Sequence, residues 1–364
     1  MKIFIIYASA GSGHAKAAEA IYDYLKDKPG INVELIDVLS QANSFFGRAY
    51  TGLYSFTIRY LRWLWSFCYW VTSLYPLSIF FRKINSALDL LNTRSLARKL
   101  LQDNPDLVIA THFLPPEIVS YLKKTGQINS ALITFITDFG AHPYWISEGV
   151  DFYFVPSELA RRQLLLEGVA DKRIKVTGIP VAAKFFKDFD KVSLRNKFGL
   201  TQGGFVVLIV SGSFGIGPIE KIVDLLHNDL EILVVCAGNQ RLYARLTAKN
   251  YPKAKVFGVV NNMEELMGAS DIILTKPGGL TVAELLVMEL PPVFITAIPG
   301  QESQNIKFLI SSGIGFDARK LGVERIRGII LKLKSDTQEL KRQREKINKF
   351  KNNFSLEELN NVIR

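Results

Sequence analysis

The chain has 364 residues, of which 48% are hydrophobic and 22% charged, and it carries a formal net charge of +11. This length suffices for two globular domains, and the composition excludes disordered and fibrous classes. The positive charge indicates an anionic partner, such as nucleic acid, an acidic membrane surface or a phosphorylated substrate. The two cysteines, Cys68 and Cys236, lie in apolar surroundings without CxxC spacing, so we expect buried, reduced thiols.

The first half of the chain alternates predicted strands and helices, which is typical of an α/β fold. The helix predicted at His14–Asp27 carries Ala17, Ala18, Ile21 and Leu25 on one face. The predicted strands are Ile3–Ala8, Val33–Val38, Asp106–Ala110, Ala131–Thr137 and Phe152–Val155. The first apolar run is too short for a signal peptide, which favours a cytosolic protein. Polar residues follow several of these strands, and in a doubly wound sheet such ends form the ligand crevice. We therefore expect His112, Asp138 and His142 to lie there, although each alone is more often structural than catalytic.

The second half repeats the alternation after a predicted hinge at Gly178-Ile179-Pro180. Its predicted strands are Phe205–Val210, Ile232–Cys236, Lys255–Val259, Asp271–Leu274 and Val293–Thr296, with a notable helix at Gly279–Leu290. We expect an N-terminal domain at residues 1–180 and a C-terminal domain at 181–335. The charge-dense residues 336–364 are expected to form a helical, solvated tail.

An aromatic, basic insert at residues 45–83 interrupts the first half. Residues 45–81 hold 14 of the 41 aromatic residues, and no Asp or Glu occurs between Val38 and Leu88. This composition favours docking in a membrane interface, where tryptophan and tyrosine concentrate and basic residues meet anionic lipids. The candidate docking residues are Arg59, Arg62, Trp63, Trp65 and Trp70. The two alternatives are a membrane span over residues 63–81 and aromatic packing, either inside the N-terminal domain or at a dimer interface.

A histidine opens the first predicted helix, in the turn Gly11-Ser12-Gly13-His14. The turn matches neither the G-x-G-x-x-G dinucleotide pattern nor a P-loop. The helix dipole disfavours an imidazolium at this position, and a neutral imidazole can act as a general base. The alternative is a helix-start histidine without a catalytic role.

Two further glycine-rich turns are candidates for nucleotide binding in the second half. Ser211–Pro218 includes Ser213, Phe214 and Gly215, which can face a pyrophosphate. Lys276–Glu284 opens a helix with Gly278 and Gly279, and the Glu284 carboxylate one turn later can accept both hydroxyls of a ribose. The polar run Pro299–Asn305 is suited to reading sugar hydroxyls. Asp188-Phe189-Asp190 has the D-x-D pattern of metal-dependent enzymes, but we interpret it as a solvated linker.

Together these motifs resemble the monogalactosyldiacylglycerol synthase and processive diacylglycerol glucosyltransferase family. The resemblance rests on Gly11-x-Gly13-His14-x-x-Ala17-Ala18, Thr137-Asp138-Phe139, His142-Pro143-x-Trp145, Val176–Pro180, Lys276–Glu284 and Pro299-Gly-Gln-Glu302, all in order over roughly residues 1–335. It implies a GT-B fold, in which two Rossmann-like domains face a central cleft. It also implies inverting, metal-independent transfer of a hexose from a UDP-sugar to the hydroxyl of 1,2-diacylglycerol.

The resemblance also implies roles for individual residues. His14 would be the catalytic base. The insert would dock the enzyme peripherally on anionic lipids at the cytoplasmic face of the cell membrane. Asp138 and His142 would lie on the acceptor side of the site. The donor would be bound by Gly13, Ser213, Phe214, Gly215, Phe257, Val259, Pro277, Gly278, Gly279, Leu280, Thr281, Glu284, Gln301, Glu302 and Asn305. No metal or other cofactor is expected. Phe214 stands where the family pattern has a small or polar residue.

Two other functions fit parts of the pattern. One is transfer of N-acetylglucosamine to a polyprenol-linked peptidoglycan precursor, and the other is non-catalytic binding of UDP-sugars at a membrane. Nucleic-acid binding is not expected, because the basic residues cluster with tryptophans and match no nucleic-acid motif. The sequence leaves open glucose or galactose as donor, processive addition and the oligomeric state.

Overall fold

The computed structural model describes residues 1–9, 11–41, 52–53, 56–58, 60–73, 93–210, 212, 217–351 and 353–363. The chain divides into two compact units. Unit 1 comprises Met1–Ala182, Ile298–Gln304 and Asn353–Arg364, and unit 2 comprises Ala183–Ala297 and Asn305–Asn352. Arg59, Ser213, Phe214 and Gly215, which the sequence proposes as site residues, lie outside the described residues.

Unit 1 is built on a six-stranded parallel sheet with the order β2-β1-β3-β4-β5-β6. Its strands are β1 (Lys2–Tyr7), β2 (Asn32–Asp37), β3 (Leu107–Ala110), β4 (Ala131–Phe135), β5 (Phe152–Val155) and β6 (Ile174–Val176). Residues Ile3–Ile6 of β1 and all of β3 are consecutive apolar residues that are fully or almost fully buried, as expected for parallel strands covered on both faces. The strand predictions in this half are confirmed to within two residues.

The helices of unit 1 cover the two faces of this sheet. They are α1 (Ser12–Leu25), α2 (Val38–Gln41), α3 (Arg62–Ser73), α4 (Arg94–Asp103), α5 (Leu114–Lys124) and α6 (Glu158–Leu166). In α1, Ala17, Ala18, Ile21 and Leu25 are fully buried, which confirms the face read from the sequence. A short 3-10 helix at Pro143–Trp145 follows β4.

Unit 2 repeats the architecture with the strand order β12-β11-β10-β7-β8-β9, again all parallel. Its strands are β7 (Val206–Val210), β8 (Glu231–Val235), β9 (Ala254–Phe257), β10 (Ile272–Thr275), β11 (Pro292–Phe294) and β12 (Phe316–Asp317). Counted within the unit, this is the 3-2-1-4-5-6 order of nucleotide-binding Rossmann sheets.

The helices that belong wholly or mainly to unit 2 complete its layers. They are α7 (Lys191–Lys197), α8 (Ile219–Leu226), α9 (Gln240–Ala248), α10 (Met263–Ala269), α11 (Gly279–Val287), α12 (Gln301–Ser311), α13 (Val323–Ser335) and α14 (Thr337–Lys351). The first four residues of α12 group with unit 1 and the remainder with unit 2.

The charged C-terminal residues 336–364 divide between the two units. In α14, Leu340 and Ile347 are buried, and Leu340 joins the core of unit 2. A last helix, α15 (Glu357–Val362), buries Leu359 completely in the core of unit 1. The prediction of a helical, solvated tail is therefore right for the charged faces of these helices. The few apolar residues of α14 and α15 are buried and attach both helices to the protein.

The thiol prediction holds for one cysteine only. Cys236 is fully buried at the end of β8, whereas Cys68 is exposed, so the expectation of two buried thiols is wrong. Cys68 lies on α3, a helix in which no residue is buried. Within the described part of the chain, no helix is both long and apolar enough to cross a bilayer.

Candidate active site

His14 lies at the topological switch point of unit 1. β2 and β3 lie on opposite sides of β1. The connection that leaves β1 therefore runs to one side of the sheet and the connection that leaves β3 runs to the other. Ligands of open α/β sheets bind outside the carboxyl ends of the strands at such a point. His14 follows β1 in the first turn of α1, next to Gly13, and Thr111 follows β3 directly.

Two polar contacts reach the His14 ring, and a third reaches the backbone of the same residue. Nδ1 of His14 lies 2.8 Å from the carbonyl oxygen of Thr111 and 2.9 Å from Oγ1 of Thr137. The Thr111 hydroxyl donates a third hydrogen bond, of 2.9 Å, to the carbonyl oxygen of His14. The base candidate is therefore tied to the ends of β3 and β4.

These contacts fix the tautomer of His14. A carbonyl oxygen only accepts hydrogen bonds, so in the neutral ring Nδ1 carries the proton and donates to Thr111. Nε2 is then left with a lone pair. Burial lowers the pKa of His14 and outweighs the opposing effect of the Thr111 carbonyl. The arrangement thus presents a neutral imidazole with a proton-accepting Nε2.

The two other histidines of unit 1, His112 and His142, have structural contacts. Nδ1 of His112 accepts a hydrogen bond from the Leu114 amide at the start of α5. Nδ1 of His142 accepts from the Tyr144 amide, and its Nε2 donates to the Tyr69 carbonyl over 3.4 Å. Burial lowers the pKa of His142 to about 4 and that of His112 well below its ordinary range. Both rings are therefore neutral positioning groups.

A chain of ring contacts connects His14 with α3. The ring of His14 lies 6.2 Å from that of Trp145, and Trp145 lies 6.2 Å from Phe113. Phe113 contacts Tyr144, which packs edge-on against His142, and the His142 ring lies 4.5 Å from Tyr69 of α3. The structure therefore joins the N-terminal motif, the His142–Trp145 motif and the aromatic insert into one aromatic cluster.

The helix α3 has two different faces. Trp63, Phe67 and Trp70 are 71%, 56% and 58% exposed and follow one another at helical spacing. Phe56 and Tyr60 before the helix are also exposed and continue this spacing. We call these five side chains the aromatic stripe. The opposite face carries Trp65, whose indole nitrogen is buried, and Tyr69; Arg62 donates back to the Ile58 carbonyl.

The segment Ile298–Gln304, which we call the 298–304 segment, is held by unit 1. Gly300 has φ = +85°, and a Cβ added there would lie 2.6 Å from Cγ of Tyr69, so only glycine fits. The Gln301 amide nitrogen donates to Oδ2 of Asp138 over 2.8 Å. Asp138, predicted from the sequence to lie on the acceptor side, therefore contacts the proposed sugar-reading residue.

Unit 2 has its own switch point, between β7 and β10. Gly212 follows β7 and has φ = +62°, and a Cβ added there would lie 2.2 Å from Cε of Lys276, which follows β10. The Lys276 side chain therefore passes over the glycine turn where a Rossmann sheet binds phosphates. The N-terminus of α11 begins three residues later, with Gly278 at its cap. Both features favour an anion.

The structure places the other proposed donor residues at different depths. Pro277, Gly279, Leu280 and Glu284 are buried around the start of α11, and Thr281 and Gly278 are partly exposed. Asn305 is fully buried and donates to the Pro277 carbonyl, and Glu302 accepts from the Ile298 amide. Asn305 thus supports the turn at Pro277, and Glu302 supports the turn that begins at Ile298. Gln301, by contrast, is partly exposed.

Phe257 is the last residue of β9 and Val259 lies two residues later, on the other side of β7 from Lys276; both are proposed to bind the donor. Val259 is 78% exposed, and Phe257 packs edge-on against Phe198. A Cβ added at Gly258, between them, would contact nothing within 4 Å, so this stretch of backbone is open. A flat base therefore has access to the backbone here.

The D-x-D residues have a structural role. The Asp190 carboxylate accepts from the amides of Val192 and Ser193 and caps α7, and Asp188 is exposed. Within the described ranges, no group of three or more His, Cys, Asp or Glu side chains is arranged to hold a metal ion.

Sequence reasoning missed Thr111, Tyr69 and Lys276 as site residues. Thr111 and Tyr69 act through contacts that depend on the strand order and on the phase of α3. The polar end of β3 is a sequence signal for Thr111, whereas Tyr69 has none. Lys276 stands at the head of the recognised turn, and a cation beside a glycine pair could have identified it.

Two protein-family models match the two halves of this chain. The model of the monogalactosyldiacylglycerol (MGDG) synthase family matches residues 14–181, and that of the glycosyltransferase family 28 C-terminal domain matches residues 206–357. A processive diacylglycerol beta-glucosyltransferase of Bacillus pumilus (strain SAFR-032) is 32% identical over 326 residues, which are 86% of this chain and 82% of the relative. A probable chloroplastic monogalactosyldiacylglycerol synthase of Nicotiana tabacum is 30% identical over 86% of this chain and 61% of the relative.

Solved structures confirm the fold. The S. aureus MnaA–UDP complex has a TM-score of 0.66 at 14% identity and covers all of this chain and 95% of its own. The UDP-GlcNAc 2-epimerase of Neisseria meningitidis reaches 0.62 at 14% identity, with coverage of 100% and 98%. MurG of Acinetobacter baumannii reaches 0.60 at 13% identity, with coverage of 100% and 99%. The predicted fold class, GT-B with two Rossmann-like domains, is correct.

The relatives at 30% identity and above distinguish between the functional alternatives. MurG shares the fold at 13% identity, whereas the two diacylglycerol-related relatives are 32% and 30% identical to this chain. The match to a glycosyltransferase domain also argues against a purely binding role. The chain is a glycosyltransferase that belongs to the family of the monogalactosyldiacylglycerol synthases and the processive diacylglycerol beta-glucosyltransferases.

Proposed function

We propose that this chain transfers a hexose from UDP-glucose or UDP-galactose to the hydroxyl of 1,2-diacylglycerol, with inversion and without a metal ion. The observation that carries the proposal is the neutral His14 ring at the switch point of unit 1, with Nδ1 committed to Thr111. An alcohol is weakly acidic, so its attack benefits from a positioned proton acceptor, and Nε2 of His14 supplies one.

The donor half of the reaction belongs to unit 2. The departing UDP gains negative charge, and groups that meet this charge in fixed positions lower the barrier. Lys276 and the amides at the N-terminus of α11 provide them at the unit's switch point. Glu284 is proposed to hold the ribose, and the open backbone at Gly258 to meet uracil.

The acceptor reaches the protein from a lipid bilayer, so the enzyme must bind the bilayer surface. The aromatic stripe exposes two tryptophans on one side of α3. Aromatic rings of this kind partition into the headgroup region, and the insert carries basic but no acidic residues. The ring cluster from Tyr69 to His14 then offers the glycerol end an apolar route to the base.

We place the protein peripherally on the cytoplasmic face of the membrane. Its two cysteines are free thiols, which is usual for reducing compartments. Diacylglycerol and anionic lipids would be its membrane partners, and a UDP-hexose its aqueous one.

The test is product analysis with intact chain in anionic vesicles that contain diacylglycerol, using UDP-glucose and UDP-galactose in separate reactions with excess chelator. The proposal predicts a β-linked monohexosyl diacylglycerol from at least one donor, with the chelator leaving the rate unchanged. Free hexose without glycolipid would contradict diacylglycerol as acceptor. Loss of product on chelation, restored by a divalent cation, would contradict metal independence alone.

A further inference from the structure

Unit 1 holds the 298–304 segment by three separate side-chain contacts. Tyr69 packs against Gly300, Asp138 accepts from Gln301, and Gln163 donates to Oε1 of Gln304 over 2.8 Å. A Cβ added at Gly140 would meet the Gln304 side chain, so the fit is close there too. The segment is therefore positioned by its neighbours as well as by its own turn.

The contact between Gln301 and Asp138 also determines which way the Gln301 amide points. A carboxylate oxygen accepts hydrogen bonds, so it selects the NH2 end of the amide. Oε1 of Gln301 is consequently turned away from Asp138. Asp138 is itself 7% exposed and directly follows Thr137, whose hydroxyl touches His14, so its backbone is fixed at the end of β4.

We infer that Asp138 is a positioning residue that fixes the orientation of the Gln301 amide and, through it, selects the donor hexose. The inference rests on the proposed function, with the donor hexose read by the polar run Pro299–Asn305, to which Gln301 belongs. Glucose and galactose differ in the direction of one hydroxyl. An amide carbonyl accepts from a hydroxyl, whereas an amide NH2 donates to it, so the two orientations favour different hydroxyl positions.

The substitution that tests this is Asp138→Asn, which keeps the shape of the side chain but can donate as well as accept. Either end of the Gln301 amide can then form a hydrogen bond with residue 138, so one orientation is no longer favoured. Calorimetry on the intact chain gives Kd values for UDP, UDP-glucose and UDP-galactose without any acceptor. We expect the ratio of the two nucleotide-sugar Kd values to change by at least about 5-fold, while the Kd of UDP stays within about 2-fold.

Two further variants separate amide orientation from general loosening. Gln163→Ala removes the matched contact three residues along the same segment and should leave the ratio unchanged. The double variant Asp138→Asn with Gln301→Glu restores a donor facing an acceptor and leaves a carboxylate oxygen toward the sugar. It should return the ratio toward that of the intact chain, which a purely structural role of Asp138 would not produce.

An unchanged ratio in Asp138→Asn, or an equal change in Gln163→Ala, would overturn the inference. So would an intact chain that binds UDP but gains no affinity from either hexose. These outcomes differ from failure of the proposed function. A chain that shows the shift in ratio yet makes no glycolipid would support hexose selection by Asp138 while contradicting transfer to diacylglycerol.

Discussion

His14 and Thr111 form a reciprocal pair across the switch point of unit 1. Nδ1 of His14 lies 2.8 Å from the Thr111 carbonyl oxygen, and the Thr111 hydroxyl donates to the His14 carbonyl over 2.9 Å. The first contact sets the tautomer of the ring, and the second fixes the start of α1 against the end of β3. The two contacts can therefore be separated by mutation.

Thr111→Val removes the hydroxyl contact and keeps the carbonyl. The ring should keep its tautomer but lose part of its positioning, so we expect kcat to fall by about 10-fold while the Kd of UDP is unchanged. Steady-state kinetics in diacylglycerol vesicles and UDP calorimetry measure both. Thr125→Val, at the end of α5, is a matched surface control. A Thr111→Val enzyme with the kcat of the intact chain would show that this contact does not position the base.

The pH dependence of turnover should report the lowered pKa of His14. A general base must be neutral, and a lowered pKa keeps it neutral into more acidic solution. We expect kcat/KM to be level near neutrality and to fall on acidification, with a midpoint below the ordinary histidine value of about 6.5. The residual kcat/KM of His14→Ala should not show this fall at acidic pH. A midpoint above about 7 in the intact chain would contradict burial as the dominant influence.

The aromatic stripe should carry vesicle binding. Replacing Trp63 and Trp70 together by serine removes two exposed rings, and we expect partitioning into anionic vesicles to weaken by at least about 10-fold. The Kd of UDP should not change. Leu166→Ser is the matched control, since Leu166 is 88% exposed but lies on α6, away from the insert sequence. Equal sedimentation of the double variant and the control would contradict docking through α3.

His142 should make folding sensitive to acid. Its pKa is lowered to about 4, so below its ordinary pKa the unfolded chain binds a proton that the folded chain does not. Stability is therefore lost as the pH falls, by about 2 kcal/mol between about pH 7.5 and about pH 5.

The measurement is denaturant unfolding of the intact chain and of His142→Asn at both pH values, followed by tryptophan fluorescence. Asparagine can still accept from the Tyr144 amide, so the cap survives. The variant should lose about 2 kcal/mol less on acidification than the intact chain. Identical losses would show that His142 does not titrate in this way.

Elements formed by local patterns were predictable from the sequence. The buried runs of β1 and β10 and the apolar face of α1 follow from periodicity alone, and the turns at Gly13 and Gly278 mark helix starts. The family could be recognised because these turns occur in the right order along the chain.

The contacts that complete the site depend on tertiary structure. Thr111 reaches His14 only because β3 lies beside β1, although about a hundred residues separate them. The inward position of Tyr69 and the outward positions of Trp63 and Cys68 depend on the phase of α3, which a uniformly aromatic insert does not reveal. Asp138 was expected with the acceptor, and its contact with Gln301 could not be predicted without the path of the 298–304 segment.

The most direct test of the account compares UDP release by the intact chain and by His14→Ala, in anionic vesicles with and without diacylglycerol. The account predicts diacylglycerol-dependent release by the intact chain and a loss of at least about 100-fold in the variant, with UDP affinity retained. Release by His14→Ala at the rate of the intact chain would contradict the central claim that this histidine is the base of a lipid glycosyltransferase.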